Sequence, residues 1–184
     1  RLGKTRAAIL YENDAYGRGL ADAFRGEFVG TVIGFDPIDA DGTDAATYAA
    51  WFAQQKPDLV FVAGTERSGL ALMREARKAG VSTEFLGGDG WTGLVTDPAT
   101  AEGALVGAPF TALDPRAEAQ RFVAAFRARF NEEPDGNAAL AYDAVQVLAA
   151  GLRSVGGDRT ALRDWLSNLQ GERAVPGVTG SLAF

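Results

Sequence analysis

Five short apolar runs recur along this chain, and their spacing leaves few folds open to it. Each run ends in a polar loop that is followed by a helix-like stretch; the runs are residues 6–11, 31–38, 58–63, 84–87 and 104–109. Strands that alternate with helices of about ten residues or more pair in parallel, because the crossover returns the chain to the same end of the sheet. The pattern therefore predicts an α/β fold, in which helices cover both faces of a parallel five-stranded sheet.

Helical periodicity accounts for most of the remaining sequence. Apolar residues recur at every third or fourth position and predict a helix over residues 19–28 and another around residues 48–52. After residue 109 the alternation of strands and helices stops. The pattern there predicts three helices and a final strand, over residues 116–130, 138–152, 158–169 and 177–184.

The acidic run Asp39-Ala40-Asp41-Gly42-Thr43-Asp44 has two interpretations. A calcium loop requires a twelve-residue spacing with a terminal bidentate Glu, and this run has neither. We therefore expect Thr43 or Asp44 to cap the following helix by accepting hydrogen bonds from its first amides.

Charge and residue usage exclude several classes of function. The net charge is −6 and the sequence pI is about 4.7, with Lys and Arg scattered along the chain, so no nucleic-acid partner is expected. The chain contains neither His nor Cys. This excludes the Ser-His-Asp and Cys-His catalytic arrangements and the usual zinc and copper ligands. We expect a binding protein rather than an enzyme, without a metal or a cofactor.

Side chains suited to binding follow three of the predicted strands. Tyr16 comes after the first strand, Thr65 and Glu66 after the third, and Asp89 and Trp91 after the fourth. Because ligands bind at the carboxyl ends of parallel strands, these loops predict one site with an aromatic ring, a hydroxyl and a carboxylate. Such a set suits a small zwitterion or cation, whose ammonium group pairs with the carboxylate.

Each of these five residues also has a structural interpretation. Tyr16 is open to packing on its own helix, Thr65 to capping a helix, and Asp89 to capping or turning the chain. Glu66 is equally suited to lying in solvent, and Trp91 to covering the core. Taken singly, a structural role is favoured for Thr65 and Glu66, and a binding role for Tyr16 and Asp89.

Several stretches together resemble one protein family. They are YENDAYGRGLA (11–21), KPD (56–58), LMREARKAG (72–80), GGDGW (87–91), AEG (101–103), AYDAV (141–145) and GVTG (177–180). In this order they resemble the second lobe of the periplasmic leucine/isoleucine/valine-binding proteins, the type I solute-binding components of ABC transporters. The resemblance implies a flavodoxin-like (Rossmann-like) ligand-binding lobe over residues 1–112. It also implies a mostly helical segment over residues 113–184 that returns to a first lobe, which this chain lacks.

The function that the resemblance implies is a clamp of two lobes. The clamp closes on an amino acid or a related amine or amide and delivers it to an ABC transporter permease in the membrane. The family positions that contact the ligand correspond to Tyr16, Thr65 and Asp89, with Asp89 pairing with the α-ammonium. The implied location is the periplasm or the extracellular face, reached by export and compatible with a lipoprotein anchor.

Two departures from the family pattern leave the identity of the solute open. The leucine-type proteins have a glutamate where this chain has Asp89, and an aromatic residue where it has Thr65. A shorter acid and a lost ring alter the depth of the pocket. Trp91 then either compensates for the lost ring or indicates an amide, polyamine or aromatic ligand.

Two alternatives remain open from the sequence. One is a ligand-sensing regulatory or receptor module on the same fold. The other is a flavodoxin-like nucleotide-binding domain, since residues 88–93 match G-x-G-x-x-G; however, that motif belongs after the first strand and here follows the fourth. The abrupt start and end of the sequence also lead us to expect a piece of a longer protein.

Overall fold

The apolar runs form one parallel sheet. A computed structural model describes residues 3–183, the side chain of Val95 excepted. The strands are β1 (Arg6–Glu12), β2 (Thr31–Ile38), β3 (Leu59–Ala63), β4 (Glu84–Gly87) and β5 (Leu105–Val106). Their order is β2-β1-β3-β4-β5 and each neighbouring pair is parallel. This is the flavodoxin-like order, so the predicted fold class is confirmed.

Helices connect the strands and cover both faces of the sheet. They are α1 (Ala15–Glu27), α2 (Ala45–Gln55), α3 (Glu66–Lys78), a 3₁₀ helix (Asp89–Thr96) and α4 (Pro98–Ala101). Leu10 and Val62 share a core with α2 and α3, whereas Ile9 and Phe61 share a core with α1. Successive strand residues point to opposite faces, so the continuous apolar runs of β1 and β3 supply both cores.

The starts of two helices differ from the sequence prediction. Helix α1 begins at Ala15 rather than at residue 19, because Asp14 Oδ1 accepts a hydrogen bond from the Gly17 amide at 2.7 Å. Asp44 occupies the N-cap position of α2 but makes no capping hydrogen bond with its side chain. Its carboxylate accepts from the Asp39 amide at 3.2 Å, and the Thr43 hydroxyl donates to Asp39 at 2.8 Å. The predicted cap is therefore wrong, since these side chains close the acidic loop on itself.

The segment after β4 is more helical than the sequence indicated. The 3₁₀ helix leads directly into the single turn of α4, where Asp97 Oδ1 accepts from the Thr100 amide at 3.2 Å. The other carboxylate oxygen of Asp97 pairs with Arg74 of α3 at 2.6 Å. Only two residues of the predicted fifth strand pair with β4, and the Gly107 amide then donates to the Gly87 carbonyl at 2.9 Å.

The chain forms two compact units, Arg1–Ala108 and Pro109–Phe184. The second unit contains α5 (Ala117–Phe130), α6 (Gly136–Val155), α7 (Arg159–Ser167), a 3₁₀ turn (Gly171–Arg173), and the short antiparallel pair β6 (Val175–Pro176) and β7 (Ser181–Leu182). Its core includes Phe110, Phe122, Val123 and Val178. The three predicted helices are present. Helix α6 begins earlier than predicted because Asp135 caps it through the Ala138 amide at 2.8 Å, and it continues to Val155.

The predicted final strand over residues 177–184 is largely a turn. The buried Asp143 accepts hydrogen bonds from the amides of Val178 and Thr179, both at 2.8 Å, and from the Thr179 hydroxyl at 2.6 Å. Those amides are then unavailable to a strand partner, and only Ser181–Leu182 pairs. Phe184, the end of that prediction, lies outside the described residues. Within residues 3–183, no helix is both long and apolar enough to cross a membrane.

Candidate functional site

The carboxyl ends of β1 and β3 lie side by side where the order of the strands reverses. The chain leaves β1 toward β2 on one side, and β3 to β5 follow on the other side, which opens a crevice between the loops. Gly17 packs tightly at this point, since a Cβ there would lie 2.1 Å from the Glu12 carbonyl oxygen and 2.8 Å from that of Ala63. This close approach brings the neighbouring Tyr16 to the strand ends.

Tyr16 and Asp89 meet at this edge of the sheet. The Tyr16 hydroxyl donates to Asp89 Oδ1 at 2.7 Å and accepts from the Gly90 amide at 3.1 Å. It thereby joins the first turn of α1 to the loop that follows β4. Both side chains are exposed, so the Asp89 carboxylate is oriented by Tyr16 and still accessible.

The ionisation of Tyr16 reflects this contact. Burial raises the pKa of the Tyr16 phenol above its ordinary value of 10.0, and the hydrogen bond to Asp89 raises it further. The Gly90 amide lowers this pKa, whereas the negative charges of Asp89 and Glu12 raise it. At neutral pH the phenol therefore keeps its proton and remains a donor to Asp89.

Thr65, at the end of β3, is held by Glu12, at the end of β1. Glu12 Oε1 accepts from the Thr65 amide and the Thr65 hydroxyl, both at 2.8 Å, and from the Ser68 hydroxyl at 2.7 Å. Thr65 stands at the N-cap of α3 but makes no capping hydrogen bond with its side chain. Its hydroxyl is directed toward Glu12 instead.

The sequence analysis did not predict a role for Glu12. The structure shows that this residue is 95% buried. Its partners lie 53 and 56 residues away in sequence, so no local pattern indicated them. A weak signal was Gly64, where a Cβ would lie 2.8 Å from Glu12 Oε1. The glycine before Thr65 is what allows the carboxylate to approach the start of α3.

A surface concavity of about 670 Å³ opens beside Glu12 and Thr65. It is lined by Glu12, Asp39, Ala40, Asp41, Thr43, Thr65 and Arg67. Apart from Ala40, the residues that line it are polar or charged, and they carry three carboxylates against one guanidinium. Across residues 3–183, no group of three or more acidic side chains is arranged to hold a metal ion.

Trp91 and Glu66 lie apart from these accessible groups. The Trp91 side chain has no exposed surface and packs between β4 and α3, where a Cβ at Gly87 or Gly69 would lie 2.1 or 2.6 Å from its ring. Glu66 lies against Gly93 of the 3₁₀ helix and does not line the concavity. The structure therefore groups Tyr16 with Asp89 and Thr65 with Glu12, and gives Trp91 a place in the core.

Comparison with known proteins gives this arrangement a context. The family model described as "Periplasmic binding protein" matches residues 1–184. The chain belongs to the periplasmic binding protein family. The Leu/Ile/Val-binding protein of Escherichia coli K12 is 30% identical over 153 residues, which is 80% of this chain and 41% of that protein. Relatives in this family are named as binding proteins rather than enzymes, and the family description places such proteins outside the cytoplasm.

Solved structures of substrate-binding proteins share the fold of this chain. One, from Desulfitobacterium hafniense in complex with Leu, superposes with a TM-score of 0.77 at 30% identity, covering 99% of this chain and 53% of that one. A branched-chain amino acid transporter substrate-binding protein from Streptococcus pneumoniae, in complex with isoleucine, gives a TM-score of 0.82 at 27% identity, covering 100% and 53%. The chain thus spans about half the length of the proteins it matches.

Proposed function

We propose that this chain is the ligand-binding second lobe of an extracytoplasmic solute-binding protein that serves an ABC transporter. The solute is an amino acid or a related small amine, which binds at the carboxyl edge of the parallel sheet. The observation that carries this proposal is the pairing of Tyr16 with Asp89. The hydroxyl orients an accessible carboxylate, as recognition of an α-ammonium requires, and a charge-assisted hydrogen bond then supplies much of the affinity.

The same proposal assigns the opposite side of the cleft to another lobe. This edge offers carboxylates and acceptor oxygens for an ammonium, whereas the ligand's carboxylate needs donors from elsewhere. We propose that a first lobe supplies them and that closure of the two lobes excludes water from the ligand. The closed form is then recognised by a membrane permease, with the protein in the periplasm or anchored at the outer face of the membrane.

Removing the charge of Asp89 tests the site. In the intact two-lobed protein, Asp89→Asn keeps an acceptor for the Tyr16 hydroxyl but removes the partner of the α-ammonium. We expect binding of the cognate amino acid to weaken by roughly 2–5 kcal/mol, the cost of losing one partner of a buried charge pair. Isothermal titration calorimetry measures this loss directly.

The matched control is Asp22→Asn on the exposed surface of α1, where the carboxylate pairs with Arg25 at 2.8 Å. It removes the same charge away from the strand ends, so we expect the affinity to stay within about twofold, because surface ion pairs contribute little. An affinity that is unchanged in Asp89→Asn would remove Asp89 from the site.

A further inference from the structure

The concavity at the β1–β3 junction differs in chemistry from a pocket for a branched-chain side chain. Apart from Ala40, every residue that lines it is polar or charged. Apolar ligand groups are bound mainly by apolar and aromatic surface, with only a few polar groups to orient them. A leucine side chain placed here would desolvate carboxylates without offering them a hydrogen-bond donor.

Glu12 is the most buried of the three carboxylates that line this concavity. The residue is 95% buried, and its Oε1 accepts three hydrogen bonds from Thr65 and Ser68. No residue among 3–183 donates to Oε2 or forms an ion pair with Glu12. Oε2 keeps contact with solvent, and its lone pairs are free to accept a hydrogen bond from a ligand.

The hydroxyl groups at this edge already donate their hydrogen atoms to carboxylates of the protein. The Thr65 hydroxyl donates to Glu12 at 2.8 Å, that of Thr43 donates to Asp39 at 2.8 Å, and that of Tyr16 donates to Asp89 at 2.7 Å. Each hydroxyl consequently offers only acceptor lone pairs to a ligand. The remaining cation on the lining, Arg67, is exposed and is outnumbered by the carboxylates of Glu12, Asp39 and Asp41.

We propose that Glu12 and the concavity beside it bind a nitrogen donor on the side chain of the solute. The site then favours amino acids with an amide or basic side chain over leucine, isoleucine and valine. This inference rests on the proposed function, because the α-ammonium of the same solute occupies Asp89. Glu12 Oε2 receives the side-chain N–H, and the free lone pairs of Thr65 extend the acceptor surface.

The ranking of ligands by the wild-type protein is the first test and depends on no variant. The intact two-lobed protein is titrated by calorimetry with glutamine, asparagine, lysine and arginine, with leucine, isoleucine and valine, and with glutamate and aspartate. Tightest binding by an amide or basic amino acid supports the proposal. Tightest binding by leucine, isoleucine or valine overturns this inference and leaves the proposed function intact. Tightest binding by glutamate or aspartate has the same consequence, since it would place the side chain of the solute on Arg67. Binding of no amino acid contradicts the proposed function itself.

Glu12→Gln tests the role of the carboxylate. The variant keeps an oxygen for Thr65 and Ser68 but replaces Oε2 by an NH₂ group, which repels a donor. We expect affinity for the best amide or basic amino acid to fall about 30-fold or more, with the melting temperature checked by circular dichroism. The control is Glu27→Gln, an identical change at the exposed end of α1, which leaves the affinity unchanged. Equal affinities for wild-type protein and a folded Glu12→Gln variant would overturn the assignment.

Discussion

Among single residues, Tyr16 makes the contact that joins two loops of the site. Its hydroxyl links α1 to the Asp89 loop through one donated and one accepted hydrogen bond. Tyr16→Phe keeps the ring and removes both bonds, so we expect the free energy of unfolding at neutral pH to fall by about 1 kcal/mol. Urea denaturation measures this change. The control is Tyr142→Phe, whose exposed hydroxyl makes no hydrogen bond among residues 3–183, and a loss as large in that variant would contradict the account.

The same residue predicts a dependence on alkaline pH. Burial and the bond to Asp89 raise the pKa of Tyr16 above 10.0 in the folded protein, so the folded state holds this proton more tightly than the unfolded state. The contribution to stability is complete below pH 10 and is lost as the pH rises through the pKa of the folded state. We therefore expect the difference in stability between wild-type protein and Tyr16→Phe to shrink above about pH 10. A difference that is constant or grows there would be inconsistent with this environment.

The site residues also show what sequence patterns can and cannot supply. Tyr16 and Asp89 were predicted because both follow strands, and strand ends converge in a parallel sheet. Glu12 was missed because its burial depends on the hydroxyls of Thr65 and Ser68, which only the folded chain brings near. The burial of Trp91 likewise depends on space left by two glycines, the nearby Gly87 and the distant Gly69 on α3.

Among the secondary-structure elements, β4 and α3 are held at their distance by the ring of Trp91. A Cβ at Gly87 of β4 would lie 2.1 Å from Trp91 Cδ2. We expect Gly87→Ala to displace the ring and lower the free energy of unfolding by roughly 1–3 kcal/mol, as overpacking of a core does. Thermal or urea unfolding gives the energy, and tryptophan emission reports the displaced ring.

Gly19→Ala is the matched control for this substitution. Gly19 lies on the exposed side of α1, and a Cβ there would meet nothing within 4 Å. Alanine at such a helical position is expected to stabilise the protein by a few tenths of a kcal/mol to about 1 kcal/mol. Equal changes in stability for Gly87→Ala and Gly19→Ala would contradict the close packing of Trp91 against β4.

The elements themselves were predictable where they depend on local patterns. The bounds of four strands agree with the predicted runs to within one residue. Helices cover both faces of the sheet, so side chains on both faces of a strand are buried and the strand is a continuous apolar run. The fifth strand is shorter than predicted. The 3₁₀ helix and α4 were not foreseen, since Asp97 and Arg74 fix that segment through a contact between separate elements. The prediction of a full final strand was wrong for a similar reason. The amides of Val178 and Thr179 donate to Asp143 on α6, which is distant in sequence.

For the chain as a whole, the exposed apolar residues of α6 predict its behaviour in solution. Leu140, Val145, Leu148 and Leu152 are 43–63% exposed along this helix. Contiguous apolar surface of this kind drives association of soluble proteins. We expect the 184-residue chain to self-associate in sedimentation experiments, and a Val145→Gln, Leu148→Gln double variant to shift it toward monomer. A chain that stays monomeric at high concentration would contradict the prediction that the apolar residues of α6 drive association.

The most direct test of the amino-acid site is a crystal structure of the intact two-lobed protein with its solute bound. The distance to measure is that from the α-ammonium nitrogen of the solute to the nearer carboxylate oxygen of Asp89. We predict a value of about 2.7–3.2 Å, with Tyr16 still bonded to the same carboxylate. A solute bound elsewhere, or an ammonium that is held by other groups while Asp89 faces solvent, would contradict the account.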